Sequence, residues 1–135
     1  MSTNGTENDD FTGPMMPSPR LDKTPYIRQV MSSFNAIIGR SRLMRLTPGA
    51  SVDPHSDMHY FWRNHLRIHV PILTEPEVIF YCADEEVHMA AGEAWTFDNW
   101  LYHSVRAMTW DRAAVDSCKP IACPSRSTHV SPLVK

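Results

Sequence analysis

An imidazole and a carboxylate stand two residues apart at His55 and Asp57. Side chains at this spacing in an extended chain point to the same face, so both groups could bind one metal ion. His103 lies far enough along the chain to return on a partner strand as a third ligand. Two histidines and one carboxylate on one face of an octahedron leave three positions open, which is the arrangement of non-haem Fe(II) oxygenases. The sequence therefore predicts an iron site at these three residues.

Other interpretations of these side chains stay open on spacing alone. Short His and Asp pairs beside a proline often cap turns or face solvent, and Pro54 precedes His55. A histidine near a core is more often simply hydrogen-bonded than bound to a metal. Other combinations of ligands are also available. The seven histidines of the chain are His55, His59, His65, His69, His88, His103 and His129.

Arg67 and His69 are a second pair of polar side chains that share one predicted strand face. They alternate with the apolar residues of segment 66–73, so one strand face meets a core and the other is polar. A guanidinium that points into a barrel needs an anion, because an unpaired buried charge is costly. A dicarboxylate co-substrate meets this need, since arginine grips a carboxylate with two parallel hydrogen bonds. The alternative is an exterior strand face with Arg67 in water.

A turn is predicted at Gly92, followed by a strand that leads towards His103. Asp98 and Asn99 stand at the end of that strand, where polar partners of a metal-bound histidine are often found. The alternative is that these two residues merely terminate the strand.

The elements that must position these groups are mostly strands. Short runs rich in β-branched and aromatic residues are separated by turn residues, which is typical of sheets. The predicted strands cover residues 42–46, 66–73, 78–82, 86–90, 93–97 and 103–105. Within the fifth run, Trp95 and Phe97 alternate and are predicted core residues. The predicted fold class is mainly β, with an antiparallel barrel or a cupin-like jelly roll (double-stranded β-helix) as its core.

One N-terminal helix is predicted ahead of the strands. Thr24 and Pro25 are typical of a helix start, and apolar residues then recur at helical spacing until Gly39 ends the helix. Residues 1–23 are rich in Asn, Asp, Gly, Ser and Pro, a composition that does not offset the entropy of ordering. We expect this segment to be a disordered leader.

The length of 135 residues suits one domain, which is predicted over residues 24–117. Residues 118–135 hold scattered Ser and Pro without a sustained period and are predicted to be an irregular tail. A formal net charge of −2 provides no basic face for nucleic acid. No run approaches about 18 uninterrupted apolar residues, and the N-terminus does not resemble a signal peptide. We therefore expect a cytoplasmic protein with no membrane partner.

The three cysteines, Cys82, Cys118 and Cys123, are predicted to be reduced thiols. Their odd number and unrelated contexts do not fit a disulfide framework. Cys118 and Cys123 are spaced like half of a zinc site, but no second Cys or His pair completes it. Zinc is therefore not the preferred metal.

Three segments combine the motifs described above. They read RSRLMRLTPGASVDPHSD, LRIHVPILTEPEVIFYC and VHMAAGEAWTFDNWLYHSV. Together they resemble the aspartyl/asparaginyl beta-hydroxylase family, and the resemblance runs from about Pro25 to Val105. Members of this family are Fe(II)- and 2-oxoglutarate-dependent dioxygenases, and their relatives include hydroxylases of free proline.

The resemblance implies His55, Asp57 and His103 as Fe(II) ligands, and Arg67 with His69 as contacts of 2-oxoglutarate. It implies hydroxylation of an Asp or Asn side chain in a peptide, or of a free amino acid such as proline. In that reaction 2-oxoglutarate and O₂ are consumed, and succinate and CO₂ are released.

The family pattern also includes an arginine that follows the distal histidine and binds the far carboxylate of 2-oxoglutarate. Arg112, nine residues after His103, is the nearest candidate. The stretch after Arg112 is one residue shorter than the family pattern, and a slip of one residue turns strand side chains to the opposite face. The chain therefore resembles a shortened member of the family.

Two further hypotheses stay open. One is a catalytically weak or inactive cupin-like module that binds a metal or an anion without turnover. The other is a cupin-type isomerase, or a dioxygenase that works without 2-oxoglutarate, which would need the iron ligands but not Arg67 and His69.

Overall fold

The computed structural model describes residues 1–5, 13–107 and 130–134. The chain divides into two compact units, residues 1–45 and residues 46–135. Among the described helices, none combines the length and the apolar composition that crossing a membrane requires.

The first unit contains two short strands and two helices. Strand β1 (Ser2–Thr3) pairs antiparallel with β2 (Met15–Met16). Helix α1 (Pro19–Asp22) is followed by α2 (Pro25–Ser33). The prediction of a disordered leader over residues 1–23 does not hold for β1, β2 and α1.

Helix α2 begins where the sequence predicts and ends earlier. Pro25 lies in its first turn, where a missing N–H is tolerated. The Thr24 hydroxyl does not cap α2, because it donates to two carbonyl groups at the end of α1. Asn35 has a φ of 46°, in the left-handed region where helices commonly end. The prediction that the helix continues to Gly39 is therefore wrong.

The second unit holds two antiparallel sheets. Its strands are β3 (Ser51–His55), β4 (Ile68–His69), β5 (Val78–Cys82), β6 (Glu85–Val87), β7 (Ala94–Phe97), β8 (His103–Ala107) and β9 (Val130–Val134). The first sheet has the order β3-β8-β5-β6 and the second the order β4-β7-β9. A 3₁₀ helix, Tyr60–Asn64, lies between β3 and β4. The described part of the chain is mainly β with antiparallel sheets, which confirms that part of the predicted fold class.

One buried cluster draws its side chains from both sheets. Phe80 and Cys82 come from the first sheet, and Trp95, Phe97 and Val130 come from the second. The rings of Phe80 and Phe97 lie 4.6 Å apart between their centroids. Trp95 and Phe97 are 8% and 6% exposed, so their prediction as core residues is confirmed. Burial of large apolar side chains of this kind stabilises the fold by about 1.5–3 kcal/mol each.

The predicted strands agree with the structure in part. Strands β5, β6, β7 and β8 overlap the runs predicted for them. The run 42–46 forms no strand, and only Ile68–His69 of the run 66–73 does. Leu66 and Ile72 are 66% and 48% exposed, so the predicted burial of one face of this run is wrong at its ends.

Strand β9 lies in the segment predicted to be an irregular tail. It pairs with β7 at the edge of the second sheet, and Val130 at its start is buried. The Val130 N–H donates to the Glu85 carboxylate at 3.0 Å. Pro132 in this segment argues against a central strand, but an edge strand accommodates a proline. The prediction of an irregular tail over residues 118–135 is therefore wrong for these five residues.

A turn ahead of β7 is held by the Glu93 carboxylate. One of its oxygens accepts hydrogen bonds from the Ala90 N–H at 3.0 Å and from the Trp95 indole N–H at 2.9 Å. Gly92 has a φ of 86°, which favours glycine, and its N–H donates to the Pro71 carbonyl at 2.9 Å. The Gly-Glu-x-Trp pattern thus holds the turn from which β7 begins, and β7 carries the core residues Trp95 and Phe97.

Candidate metal centre

Strands β3 and β8 place His55 opposite His103. Val52 pairs with Val105, but His55 pairs with His103, so β3 has one extra residue between these two pairs. Because side chains alternate along a strand, this bulge is what brings His55 to the face that His103 occupies. Pro54 lies inside the bulge, where its missing N–H removes no ladder hydrogen bond. The two imidazole centroids are 4.4 Å apart.

Both imidazoles are oriented by backbone carbonyl groups. The Nδ1–H of His55 donates to the Asp53 carbonyl at 2.8 Å, and the Nδ1–H of His103 donates to the Leu101 carbonyl at 2.9 Å. A carbonyl can only accept, so in each ring the proton lies on Nδ1. The Nε2 atoms therefore keep their lone pairs for a metal, and the carbonyl contacts fix the ring orientations.

The Asp57 backbone is anchored to the turn between β7 and β8. Its N–H donates to the Asn99 carbonyl at 2.8 Å. The turn itself is closed by the Asp98 carboxylate, which accepts from the Trp100 N–H at 3.0 Å. Asp98 and Asn99 thus do more than terminate a strand, but the ligand that they position is Asp57 rather than His103. The Asn99 side chain is buried, and its Nδ2 has no hydrogen-bond partner among the described residues.

The three predicted ligands come together as one group. One ligand atom each from His55, Asp57 and His103 lies within 4.8 Å of the others, the only such group of metal-binding side chains in the described segments. Asp57 Oδ2 is 3.9 Å from His103 Nε2. His103 is buried, Asp57 is half-buried and His55 is exposed, so the group opens to solvent on the side of His55.

The donor set fits a divalent metal such as Fe(II). Two neutral imidazoles and one carboxylate, arranged on one side, match the ligands of mononuclear non-haem iron. Asp57 Oδ2 is buried and, apart from the ion pair with Arg67, has no hydrogen-bond partner among the described residues. A buried carboxylate oxygen needs a cation to offset its desolvation; the guanidinium of Arg67 lies there, and a bound metal would supply the same charge.

Local electrostatics favour the neutral, metal-binding form of His103. Burial lowers its pKa below the ordinary value, and the charge of Arg67, together with that of His55 when protonated, lowers it further. The hydrogen bond to Leu101 and the charge of Asp57 act in the opposite direction. A histidine must lose its proton before it can bind a metal, so a lowered pKa makes the ligand available near neutral pH.

Arg67 points into this group. Its guanidinium forms an ion pair with Asp57 and lies 3.5 Å from His103 Nε2. The group also lies over the Trp62 ring at 4.7 Å and 5.8 Å from the Phe97 ring. The alternative that Arg67 extends from an exterior face into water is therefore wrong. The structure places Arg67 beside the predicted metal ligands, while its role as a contact of 2-oxoglutarate stays a prediction.

The remaining predicted contacts of the co-substrate are less enclosed. His69 lies on β4 and is exposed. Partial desolvation lowers the pKa of its imidazole, and the positive charge of Arg67 lowers it further. Its role as a contact of 2-oxoglutarate stays a prediction. Arg112, the predicted anchor of the far carboxylate, lies outside the described residues, as do Cys118 and Cys123.

Sequence reasoning missed three contributors to the site. The carbonyl groups of Asp53 and Leu101 orient the imidazoles, but any residue supplies a carbonyl, so residue types give no signal for them. Trp62, whose ring lies under the guanidinium of Arg67, belongs to the aromatic 3₁₀ helix. The cluster of aromatic residues just after the His-x-Asp pair was the available signal.

Comparison with known proteins gives one match. A family model described as aspartyl/asparaginyl beta-hydroxylase matches residues 16–114, well over half of the chain. No curated protein and no solved structure matches the sequence. The matched segment includes the three grouped ligands and Arg67.

Proposed function

The chain belongs to the aspartyl/asparaginyl beta-hydroxylase family, and on that premise we propose that it is an Fe(II)- and 2-oxoglutarate-dependent dioxygenase. The proposed substrate is an Asp or Asn side chain of a peptide, or a free amino acid such as proline. The observation that carries the proposal is the convergence of His55, Asp57 and His103 within 4.8 Å in a chain of this family. The two antiparallel sheets around one core support a jelly roll as the architecture.

The proposed roles divide between two sets of residues. His55, Asp57 and His103 hold Fe(II), while Arg67 and His69 contact 2-oxoglutarate and Arg112 anchors its far carboxylate. Bound Fe(II), with 2-oxoglutarate and O₂, supplies the oxidation of a substrate C–H bond to C–OH, with succinate and CO₂ as co-products.

The protein contributes orientation and exclusion of water. The Asp53 and Leu101 carbonyls keep the two Nε2 atoms aimed at one point, and the Asn99 carbonyl fixes the backbone of Asp57. Phe97 and Phe80 cover the rear of His103, with ring centroids at 4.9 Å and 6.2 Å from the imidazole. The open side is therefore the side of the exposed His55, where co-substrate and substrate can enter.

Anaerobic titration with Fe(II), followed by measurement of succinate after adding 2-oxoglutarate and O₂, tests the proposal. We expect the wild-type protein to bind one equivalent of Fe(II) and to release succinate. In His103→Ala we expect the affinity for Fe(II) to fall by at least about 100-fold, since the loss of a ligand exceeds the 10- to 100-fold effect of losing a partner of a ligand. Succinate release falls with it.

His88→Ala is the matched control, because His88 donates from Nδ1 to the Val78 carbonyl and is not among the grouped ligands. It should keep both Fe(II) binding and succinate release. A wild-type protein that binds no Fe(II) would contradict the proposal. Fe(II) binding with no succinate release across a panel of peptides and amino acids would instead favour the inactive binding module.

A further inference from the structure

The guanidinium of Arg67 touches the same atoms that a metal would use. It forms an ion pair with Asp57 Oδ2, and its Nη1 lies 3.5 Å from His103 Nε2. The Asp57 side chain is only 16% exposed and that of Arg67 only 33% exposed, so water screens this ion pair incompletely. One cationic group therefore already neutralises the carboxylate of the predicted ligand set.

A divalent metal bound to both Asp57 Oδ2 and His103 Nε2 would occupy the space that Nη1 of Arg67 fills beside these two atoms. Two cations on one oxygen repel each other strongly in a partly buried setting. Metal binding through Asp57 and His103 therefore requires the guanidinium to move away from both atoms.

Arg67 has other contacts that do not depend on Asp57. The guanidinium lies over the face of Trp62 at 4.7 Å, an arrangement that attracts a cation. Its backbone carbonyl accepts a hydrogen bond from the Thr96 hydroxyl at 3.0 Å, which holds the start of β4 in place. The side chain can therefore leave Asp57 while its backbone and its aromatic neighbour keep it beside the site.

We propose that Arg67 is a displaceable internal cation, which a divalent metal must remove from Asp57 and which, once displaced, binds a carboxylate of the co-substrate. The inference rests on the proposed function of the metal site and adds an energetic coupling to it. Arg67 opposes metal binding by itself, whereas a dicarboxylate that takes up the guanidinium favours it. Because such coupling is reciprocal, the metal must also strengthen binding of the dicarboxylate.

Calorimetric titration with Mn(II), with and without 2-oxoglutarate, tests this coupling without turnover. Arg67→Gln removes the internal cation, and we expect it to bind Mn(II) about tenfold more tightly than the wild-type protein does. Adding 2-oxoglutarate should tighten Mn(II) binding more in the wild-type protein than in Arg67→Gln, because only in the wild-type protein does it also take up a guanidinium that opposes the metal. A merely structural role for Arg67 predicts weaker metal binding instead.

Arg63→Gln is the matched control, because it removes the same charge from an exposed side chain in the 3₁₀ helix. It should bind Mn(II) like the wild-type protein. Equal Mn(II) affinity in Arg67→Gln and Arg63→Gln would overturn the inference while leaving the metal site intact. Absence of Mn(II) binding in all three proteins would overturn the proposed metal site and the inference with it.

A second measurement needs no variant. In ¹⁵N-arginine-labelled wild-type protein, the Nε–Hε resonance of Arg67 should shift when diamagnetic Zn(II) is added, while that of Arg63 should not. An Arg67 resonance that stays in place as Zn(II) binds would overturn the inference even if Arg67→Gln failed to fold.

Discussion

Two regions of the second unit hold the site residues in different ways. His55, Asp57 and His103 lie on or beside the β3–β8 ladder, and each is fixed by a hydrogen bond to a backbone carbonyl. Arg67 and His69 lie at the two-residue strand β4. Arg67 reaches the site through contacts between side chains.

This difference separates a rigid part of the site from an adjustable part. The carbonyls that hold the predicted ligands belong to β3 and to the turn between β7 and β8, so they move only if the backbone of the sheet moves. An ion pair and a contact with an aromatic ring can exchange partners without disturbing the sheets. The proposed function needs both properties, because the metal requires fixed ligands and the proposed co-substrate requires an arginine that can change partners.

Removal of Phe97, the residue that both regions share, should have the largest effect on stability. Its ring packs against Phe80 and His103 on one side and lies near the guanidinium of Arg67 on the other. We expect Phe97→Ala to lower the free energy of unfolding by about 3–5 kcal/mol, because it opens a cavity between the sheets. Urea denaturation monitored by tryptophan fluorescence measures this loss.

Leu73→Ala is the control for that change, since Leu73 is 88% exposed and its truncation should alter stability by no more than about 0.5 kcal/mol. If Phe97→Ala lowered the free energy of unfolding as little as Leu73→Ala does, Phe97 would not join the two regions in one core.

The exclusion of water from the core behind His103 can be measured through the titration of Cys82. This residue is fully buried and is paired with His103 across the β5–β8 ladder. Burial, followed by the negative charges of Asp98 and Glu85, raises the pKa of its thiol from 9.0 to about 11. The folded protein therefore favours the neutral thiol, whereas the unfolded chain ionises at lower pH.

Stability should consequently fall as the pH rises from about 9 to about 11, by an amount on the order of 1–2 kcal/mol. Below pH 9 both states hold the proton, so this contribution is fully present there. Cys82→Ala lacks the titrating group, and the difference between the two proteins in free energy of unfolding should change only over this pH range. Parallel pH profiles would show that water reaches the thiol and that the ligand region is less enclosed than the structure indicates.

The same division explains what the sequence could and could not predict. Residue types offered several combinations of metal-binding side chains, and the resemblance to the family selected His55, Asp57 and His103 as the predicted ligands. The alternation of Trp95 and Phe97 predicted the core. The bulge at Asp53 and Pro54 was not predicted, although it decides the face on which His55 lies. The bulge arises from the register in which β3 pairs with β8, and the local sequence around Pro54 carries no information about that pairing.

Other misses have similar physical causes. Strand β9 exists through its pairing with β7, and its own sequence, with a proline in the middle, does not favour a strand. The early end of α2 at Asn35 depends on one left-handed residue rather than on the glycine further on. The contact of Arg67 with Asp57 joins two segments that the sequence presents as independent motifs.

The smallest expected effect concerns the hydrogen bond that supports the adjustable region. The Thr96 hydroxyl on β7 donates to the Arg67 carbonyl at 3.0 Å, and Thr96→Val removes it with almost no change in shape. Its loss should cost about 1 kcal/mol or less in stability. If the two regions are held independently, 2-oxoglutarate should bind about two- to fivefold more weakly, while Mn(II) binding alone is not reduced. Thr96→Ser keeps the hydroxyl and should restore 2-oxoglutarate binding. Nothing in the β3–β8 ladder uses this hydroxyl. A parallel loss of Mn(II) affinity in Thr96→Val would therefore mean that the predicted metal ligands depend on β4 as well. The division between a rigid and an adjustable region would then fail.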